Sequence, residues 1–198
     1  GLVGCGAQGD ALLLALAELF PLAHVHVWGY VPQEAPRFCQ RMRRLLPRVT
    51  FTPCATIERC VRDAEILMTV TPSRRPLVKR AWLAPGVHIN AIGADAAGKQ
   101  ELDPRILRDA TVVVDHREQA IHAGECNVPI SRGQFRARDI HATLGDVLIG
   151  RRAGRRSPRE ITVFDSTGLA IHDVALGLTA MQHATRRGIG QRLALFTR

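Results

Sequence analysis

The segment that most restricts this chain is Gly4-Cys5-Gly6-Ala7-Gln8-Gly9, a complete GxGxxG. Apolar Leu2-Val3 precede it, and a helical pattern over Gln8–Leu19 follows. In a strand–turn–helix of this kind Gly4 permits the tight turn. Gly6 lets the backbone approach a pyrophosphate, and Gly9 lets helix and strand pack closely. The amides at the helix N-terminus favour a phosphate's charge. The motif by itself is also compatible with a glycine-rich turn that holds no ligand. The strand before it and the helix after it point to a dinucleotide site.

The rest of the chain extends that reading. Short apolar runs at His24–Trp28, Val49–Thr52, Glu65–Val70, Val87–Ile92 and Thr111–Val114 alternate with helical patterns at Glu34–Leu46, Thr56–Ala64, Val78–Leu83 and Pro104–Asp109. The runs are continuous more than alternating, as in strands covered on both faces. This predicts an α/β fold: a Rossmann-like, doubly wound, mostly parallel sheet with a C-terminal helical segment. Phe135–Ile149 reads as a helix, Arg151–Arg159 as a basic loop and Ile161–Phe164 as a further strand. Leu169–Arg187 reads as a long final helix closed by Gly188. Only Gly1, Leu2 and Val3 precede the glycine turn, whereas strands usually run five or six residues. The expectation is a chain that starts inside its first strand, with a larger protein extending upstream.

Composition removes several alternatives. The 198 residues are 46% hydrophobic and 23% charged, which excludes disorder and coiled coil for the whole chain. The longest apolar run, Ala11–Ala17, ends at Glu18, far short of the ~20 residues a membrane helix needs. The formal charge of +9 raises nucleic acid as a partner. The excess is arginine scattered along the chain, and no basic-aromatic motif occurs, so no nucleic-acid and no membrane partner is expected. Five cysteines without a CxxC pair give neither a zinc site nor a disulfide framework, and a reducing cytoplasm is expected. The eight histidines have no metal-ligand spacing.

Two further positions concern a cofactor. An acid for a nucleotide ribose belongs at the end of the second strand, about 20 residues after the motif. Trp28-Gly29-Tyr30 stand there, and no acid follows until Glu34. A 2′-phosphate is then not repelled, and Arg37 or Arg41 is in range of one. The loop Gly93–Asp103 follows the strand Val87–Ile92, at the sheet end where open α/β folds bind ligands. Its Asp95 suits proton transfer beside a cofactor, and Lys99 suits neutralising phosphate or tuning Asp95. The alternative is a turn in which Asp and Gly only satisfy backbone geometry.

Four segments together resemble the ornithine cyclodeaminase and mu-crystallin family. They are the glycine turn with Gln8, the Gly93–Asp103 loop, the run from Val112-Val113-Val114-Asp115 to Gln119-Ala120, and Ile161–Asp173. Leu144–Gly150 adds a fifth, less specific match. The resemblance implies a two-domain, usually dimeric enzyme that holds NAD or NADP, with NAD the family's more frequent cofactor and Gly29 leaving NADP open. Residues 1–168 correspond to its nucleotide domain. Residues 169–198 correspond to a C-terminal helix returning to an N-terminal substrate and dimerisation domain. That domain supplies the family's substrate-carboxylate arginines and a catalytic lysine.

Carried over by motif, Asp95 is the catalytic acid/base, with Asp115 the competing carboxylate. Gly4, Gly6, Ala7, Gln8, Gly9, Thr69, Asn90, Ala91, Ile92, Lys99 and Ser166 contact the cofactor, and Thr167 lies on the substrate side; no metal is implied. Gly29 replaces the ribose acid of NAD-using members, and Ala97 replaces a common proline. The implied reaction is conversion of L-ornithine to L-proline and ammonia by hydride removal and return. The alternatives are an NAD(P)H-dependent imine reductase or an alanine dehydrogenase acting on an amino acid or cyclic imine, and a non-catalytic ligand-binding protein like mu-crystallin. The chain alone is expected to turn over little.

Overall fold

The computed structural model describes residues 1–191 and 193. It divides into two compact units, residues 1–167 and the segment from Gly168 on. In the first unit, β1 (Leu2–Val3), β2 (His24–Trp28), β3 (Thr50–Pro53), β4 (Ile66–Thr69), β6 (His88–Ala91), β8 (Thr111–Val114), β9 (Ala142–Thr143) and β10 (Thr162–Asp165) form one sheet. Its order is β3-β2-β1-β4-β6-β10-β8-β9, and every pairing is parallel. A second, two-stranded parallel sheet pairs β5 (Arg74–Val78) with β7 (Gln100–Leu102).

The helices α1 (Ala7–Leu19), α2 (Glu34–Leu45), α3 (Ile57–Val61), α4 (Pro104–Asp109), α5 (Arg117–His122), α6 (Asn127–Ser131) and α7 (Leu144–Leu148) complete the first unit. The second unit holds α8 (Ala170–Arg187), closed by Gly188 in the left-handed conformation with φ 63°.

Successive side chains of a strand point to opposite faces, and both faces of this sheet are covered. Leu2 and Met68 pack with Leu13, Phe38 and Met42 of α1 and α2, whereas their neighbours Val3 and Leu67 pack with Cys60, Val61 and Ile106. Two apolar layers on one sheet explain why these strands read as unbroken apolar runs. The strand order reverses between β1 and β4. The carboxyl ends Val3, Thr69, Ala91, Asp165 and Val114 lie in register across that edge. A crevice at such a reversal is where open α/β sheets take ligands.

The structure corrects two helices and adds four elements. Val78–Leu83 is not a helix: β5 ends at Val78 and a single 3₁₀ turn covers Arg80–Trp82. Pro76 in β5, two residues before the segment, and the extended Lys79 set that conformation. Phe135–Ile149 is not one helix either. It runs through a 3₁₀ turn at Ala137–Asp139 into β9 and then α7. The His141 amide donates to Val112 O at 2.9 Å, which commits the chain to the sheet edge. Thr143 then restarts the helix through a capping box with Asp146. The strands β5 and β7 and the helices α5 and α6 lie outside the sequence reading. β7 is the polar Gln-Glu-Leu, fully buried, and its partners are remote in sequence. Among the described residues no helix is long and apolar enough to cross a membrane.

The tightest fold constraint is Gly4. Its φ is +116°, and a Cβ there would lie 2.8 Å from the Val70 carbonyl oxygen. Gly4→Ala is expected to cost about 1–3 kcal/mol, since strain and a backbone clash act together. Denaturant unfolding of the two proteins, compared by midpoint, measures this. A midpoint within error of the parent contradicts the assigned backbone.

Candidate functional site

The glycine turn is built as its spacing requires. The Gly4 amide donates to Trp28 O at 2.9 Å, tying the turn to the end of β2. Gly9 is buried, and a Cβ there would lie 3.1 Å from Gly4 O and 3.4 Å from the Leu2 side chain, so α1 sits close on β1. Gly6 caps α1 in an extended conformation, and a Cβ there would meet nothing within 4 Å. Ala7 and Gln8 are exposed on the first helical turn. Beside them opens a cleft of about 510 Å³, lined by Gly4, Cys5, Gly6, Trp28, Tyr30, Glu34, residues 70–73 and Leu77. That volume is within the usual range for small-molecule sites. The open space at Gly6 and the exposed helix start fit a pyrophosphate.

Thr69 differs from expectation. It is fully buried at the end of β4, and among the described residues its hydroxyl has no hydrogen-bond partner. The residues after β4 that wall the cleft are Val70, Thr71, Pro72 and Ser73. The last strand residue points into the core, so the lining of the cleft begins at Val70 and does not include Thr69.

Around this edge the loops are held by buried carboxylates. Glu101 accepts from the Thr71 amide and hydroxyl, both at 2.7 Å, and from the Gly93 amide at 3.0 Å. Glu125 accepts from the Glu101 and Leu102 amides at 2.9 and 2.6 Å. Asp165, at the end of β10, accepts from the Glu125 and Cys126 amides at 2.9 and 3.1 Å. Desolvation is the leading influence on all three. It raises the Glu101 carboxyl, lifts Glu125 well above the usual range with help from the Glu101 charge, and brings Asp165 to about 6.

The Asp95 loop hangs from this frame. Gly93 is pressed against Thr71, so the loop leaving β6 is fastened to the wall of the cleft. Asn127 receives the Gly98 amide at 3.0 Å and donates to Lys99 O at 3.1 Å. Arg74 donates to Ala97 O at 3.3 Å, so the position without the family's proline is tied down by a hydrogen bond. Asp95 and Lys99 form an ion pair, with the Asp95 side chain 56% exposed and Lys99 20%. Asn90 and Ile92 are half-buried and Ala91 is fully buried.

Asp115 has a different setting. It accepts from the Ser166 hydroxyl at 3.0 Å, the Thr167 amide at 2.7 Å and the His116 amide at 2.7 Å. Ser166 and Thr167 are therefore anchored at the same edge by Asp115. Sequence reasoning missed Glu101, Glu125, Asp165, Asn127 and Arg74. Each acts across a long sequence separation, and no local spacing marks it. Among the described residues no group of three His, Cys, Asp or Glu is placed to hold a metal ion.

The family model for ornithine cyclodeaminase/mu-crystallin proteins matches residues 1–186. An alanine dehydrogenase of Archaeoglobus fulgidus is 42% identical over 196 residues, which cover 99% of this chain and 60% of that protein. The solved structure of an archaeal alanine dehydrogenase dimer with bound NAD superposes with a TM-score of 0.93 at 42% identity, covering 99% of this chain and 60% of that one. The Thermococcus litoralis Δ1-pyrroline-2-carboxylate reductase, solved with NADH and L-proline, also gives 0.93, at 30% identity over 98% of this chain and 60% of its own. The chain thus spans about 60% of the length of these relatives.

The buried frame has a pH signature. In the folded protein Asp165 keeps its proton up to about pH 6, against an ordinary value of 3.8. Between those values the folded state binds the extra proton, so the Asp165 contribution to stability falls as pH rises and is level above about 6. The fall is at most about 3 kcal/mol. Glu101 and Glu125, also raised, act in the same direction. Asp165→Asn removes the titration but presents an amide to a backbone N–H. The variant is expected to be less stable at pH 7, with the deficit widening toward pH 4. Denaturant unfolding of both proteins from pH 4 to 7 reads that difference. A deficit independent of pH overturns the assignment.

Proposed function

This chain belongs to the ornithine cyclodeaminase/mu-crystallin family, and we propose that it binds NAD at the Gly4–Gly9 turn within an oxidoreductase that acts at the amine-bearing carbon of an amino acid or the matching imine. The observation that carries this reading is the 42% identity to an alanine dehydrogenase across 99% of the chain. An imine reductase at 30% identity supports the same chemistry run toward the amine. Net cyclisation of L-ornithine to L-proline, the first expectation from sequence, becomes the second reading. It rests on the family as a whole and not on these relatives.

The bound nicotinamide would supply the hydride acceptor or donor. The chain's residues bind and orient. Gly4, Gly6 and Gly9 shape the turn, and the first-turn amides of Ala7 and Gln8 would receive the pyrophosphate. The strand end Asn90-Ala91-Ile92 would flank the nicotinamide side, with Lys99 and Ser166 at the cofactor and Thr167 toward the substrate. Asp95, solvent-accessible on its anchored loop, would take and return the proton at the substrate nitrogen. Lys99 orients its carboxylate through the ion pair. Arg74 and Asn127 position that loop through backbone contacts.

The proposal extends to assembly. α8 carries exposed Ile171, Val174, Leu178 and Met181 at helical spacing. That stripe suits docking on a substrate-binding and dimerisation domain, with residues 1–168 as the nucleotide domain and a homodimer as the working enzyme.

Gly6→Val is expected to leave stability unchanged, because the space at Gly6 is open, and to weaken NADH binding at least about tenfold by filling the pyrophosphate position. Calorimetric titration beside a thermal melt separates the two effects. Unaltered affinity in a folded variant removes the proposal.

In the complete enzyme, Asp95→Asn is expected to lower kcat by about 10²–10⁴ with little change in NADH affinity, since Asn cannot exchange the proton. Assays with alanine, pyrroline-2-carboxylate and ornithine sort the two readings. Proline and ammonia from ornithine without added reductant favour the second. Asp115→Asn is the comparison: its chief effect is expected on stability, because it frees Ser166 and Thr167. Full activity in the Asp95 variant overturns the role given to Asp95.

A further inference from the structure

The cleft beside the glycine turn is lined, among the described residues, by a single charged side chain, Glu34. Its placement answers the missing acid at position 29. A Cβ on Gly29 would lie 2.7 Å from Glu34 Cβ, 2.9 Å from its Oε2 and 3.0 Å from Cys5 Sγ. The Glu34 side chain thus folds back from the start of α2 over the end of β2. It fills the volume that an acid at residue 29 would use. The turn fixes it there: the Val31 amide donates to Glu34 Oε2 at 3.1 Å, and the Glu34 amide donates to Val31 O at 2.9 Å. Its charge is felt inside the cleft, where Cys5 is pushed up to about 12 by burial first and Glu34 second.

The cations in sequence range of a 2′-phosphate, Arg37 and Arg41, do not line the cleft. Arg41 is paired with Asp10 at 2.7 Å and lies over the Phe38 ring. We infer that Glu34 accepts the hydrogen bond of the adenine ribose 2′-hydroxyl and makes this site select NAD(H) over NADP(H), a strand-end function moved onto the first residue of the following helix. The inference rests on the dinucleotide reading of the cleft. A carboxylate is an acceptor only and bonds a hydroxyl strongly. A 2′-phosphate would set negative charge against it with no cation among the described lining residues, and such repulsion is an effective source of selectivity. If Glu34 only closed the Val31 turn, its loss would alter stability and leave the preference between nucleotides untouched.

The test is calorimetric titration with NADH and with NADPH, on the protein and on Glu34→Gln, Glu34→Ala and the double variant Glu34→Ala/Gly29→Asp. The protein is expected to bind NADH at least about 30-fold more tightly than NADPH, the scale of one charged hydrogen bond. Glu34→Gln and Glu34→Ala are expected to bring that ratio to within about threefold. The double variant, with an acid restored at the strand end and room made for it, is expected to recover the preference. A ratio unmoved by either single variant, or no preference in the protein itself, overturns the inference. Gly6→Val distinguishes the two layers. If it abolishes binding of both nucleotides while Glu34→Gln leaves the ratio unchanged, the cleft reading stands and this inference falls. Binding of neither nucleotide by the protein removes both.

Discussion

The carboxyl edge of the sheet is organised by three buried carboxylates, Glu101, Glu125 and Asp165, that accept from backbone amides. A parallel sheet ends in loops whose N–H groups have no ladder partner, and buried amides of that kind must be paired. A carboxylate with two oxygens can satisfy two or three of them at once. Glu101 joins the loop after β4 to the loop after β6. Glu125 carries β7, and Asp165 fixes the segment that bears Glu125. The three acids form a relay from β10 to the cleft wall. Desolvation opposes each charge, but removing any one carboxylate strands several amides, which costs more than a single hydrogen bond contributes.

This frame explains how a short glycine turn becomes part of a larger site. Gly4, Gly6 and Gly9 need only β1, β2 and α1 to take their shape. The opposite wall depends on Thr71, which Glu101 grips through its amide and hydroxyl. The same Glu101 grips Gly93. The wall of the cleft and the root of the Asp95 loop therefore share one anchor. Asn127 and Arg74 fix the loop's far side. The two parts also meet directly, because Gly93 is pressed against Thr71.

What was legible in the sequence had a local code. The glycine turn declares itself in six residues, the parallel strands by their apolar runs, and α8 by its length and by Gly188. Where a remote partner decides, the reading failed. Phe135–Ile149 has helical composition, yet the edge of β8 recruits His141 and Ala142 into extended pairing. Gln100-Glu101-Leu102 has no strand signature and is held extended by β5 and Glu125. Asp95 stood out because its loop motif is local. Glu101, Glu125 and Asp165 did not, because each is tied to an amide 23 to 40 residues away, a pairing that leaves no spacing to read. Glu34 was noted only as the next acid after Gly29; its position over that glycine is a product of the α2 start.

The acids of this edge also show how surroundings divide labour among chemically equal groups. Glu101, Glu125 and Asp165 are enclosed, and both oxygens of Asp165 and Glu125 face backbone amides. Their oxygens are taken up by backbone amides and enclosed by the fold. Asp115 is buried too, and it binds the Ser166 and Thr167 segment and its own following amide. Its geometry suits holding that segment at the carboxyl edge of the sheet. Asp95 alone of these five acids extends a largely exposed carboxylate, on a loop whose backbone is fixed by other residues, with an ammonium group beside it. The loop is held by Asn127, Arg74 and Glu101, so the Asp95 oxygens are not needed to fix its backbone. In the proposed reaction the group that exchanges a proton belongs where its carboxylate holds no backbone amide, and among these five acids Asp95, paired only with the Lys99 side chain in the bonds described, meets that condition.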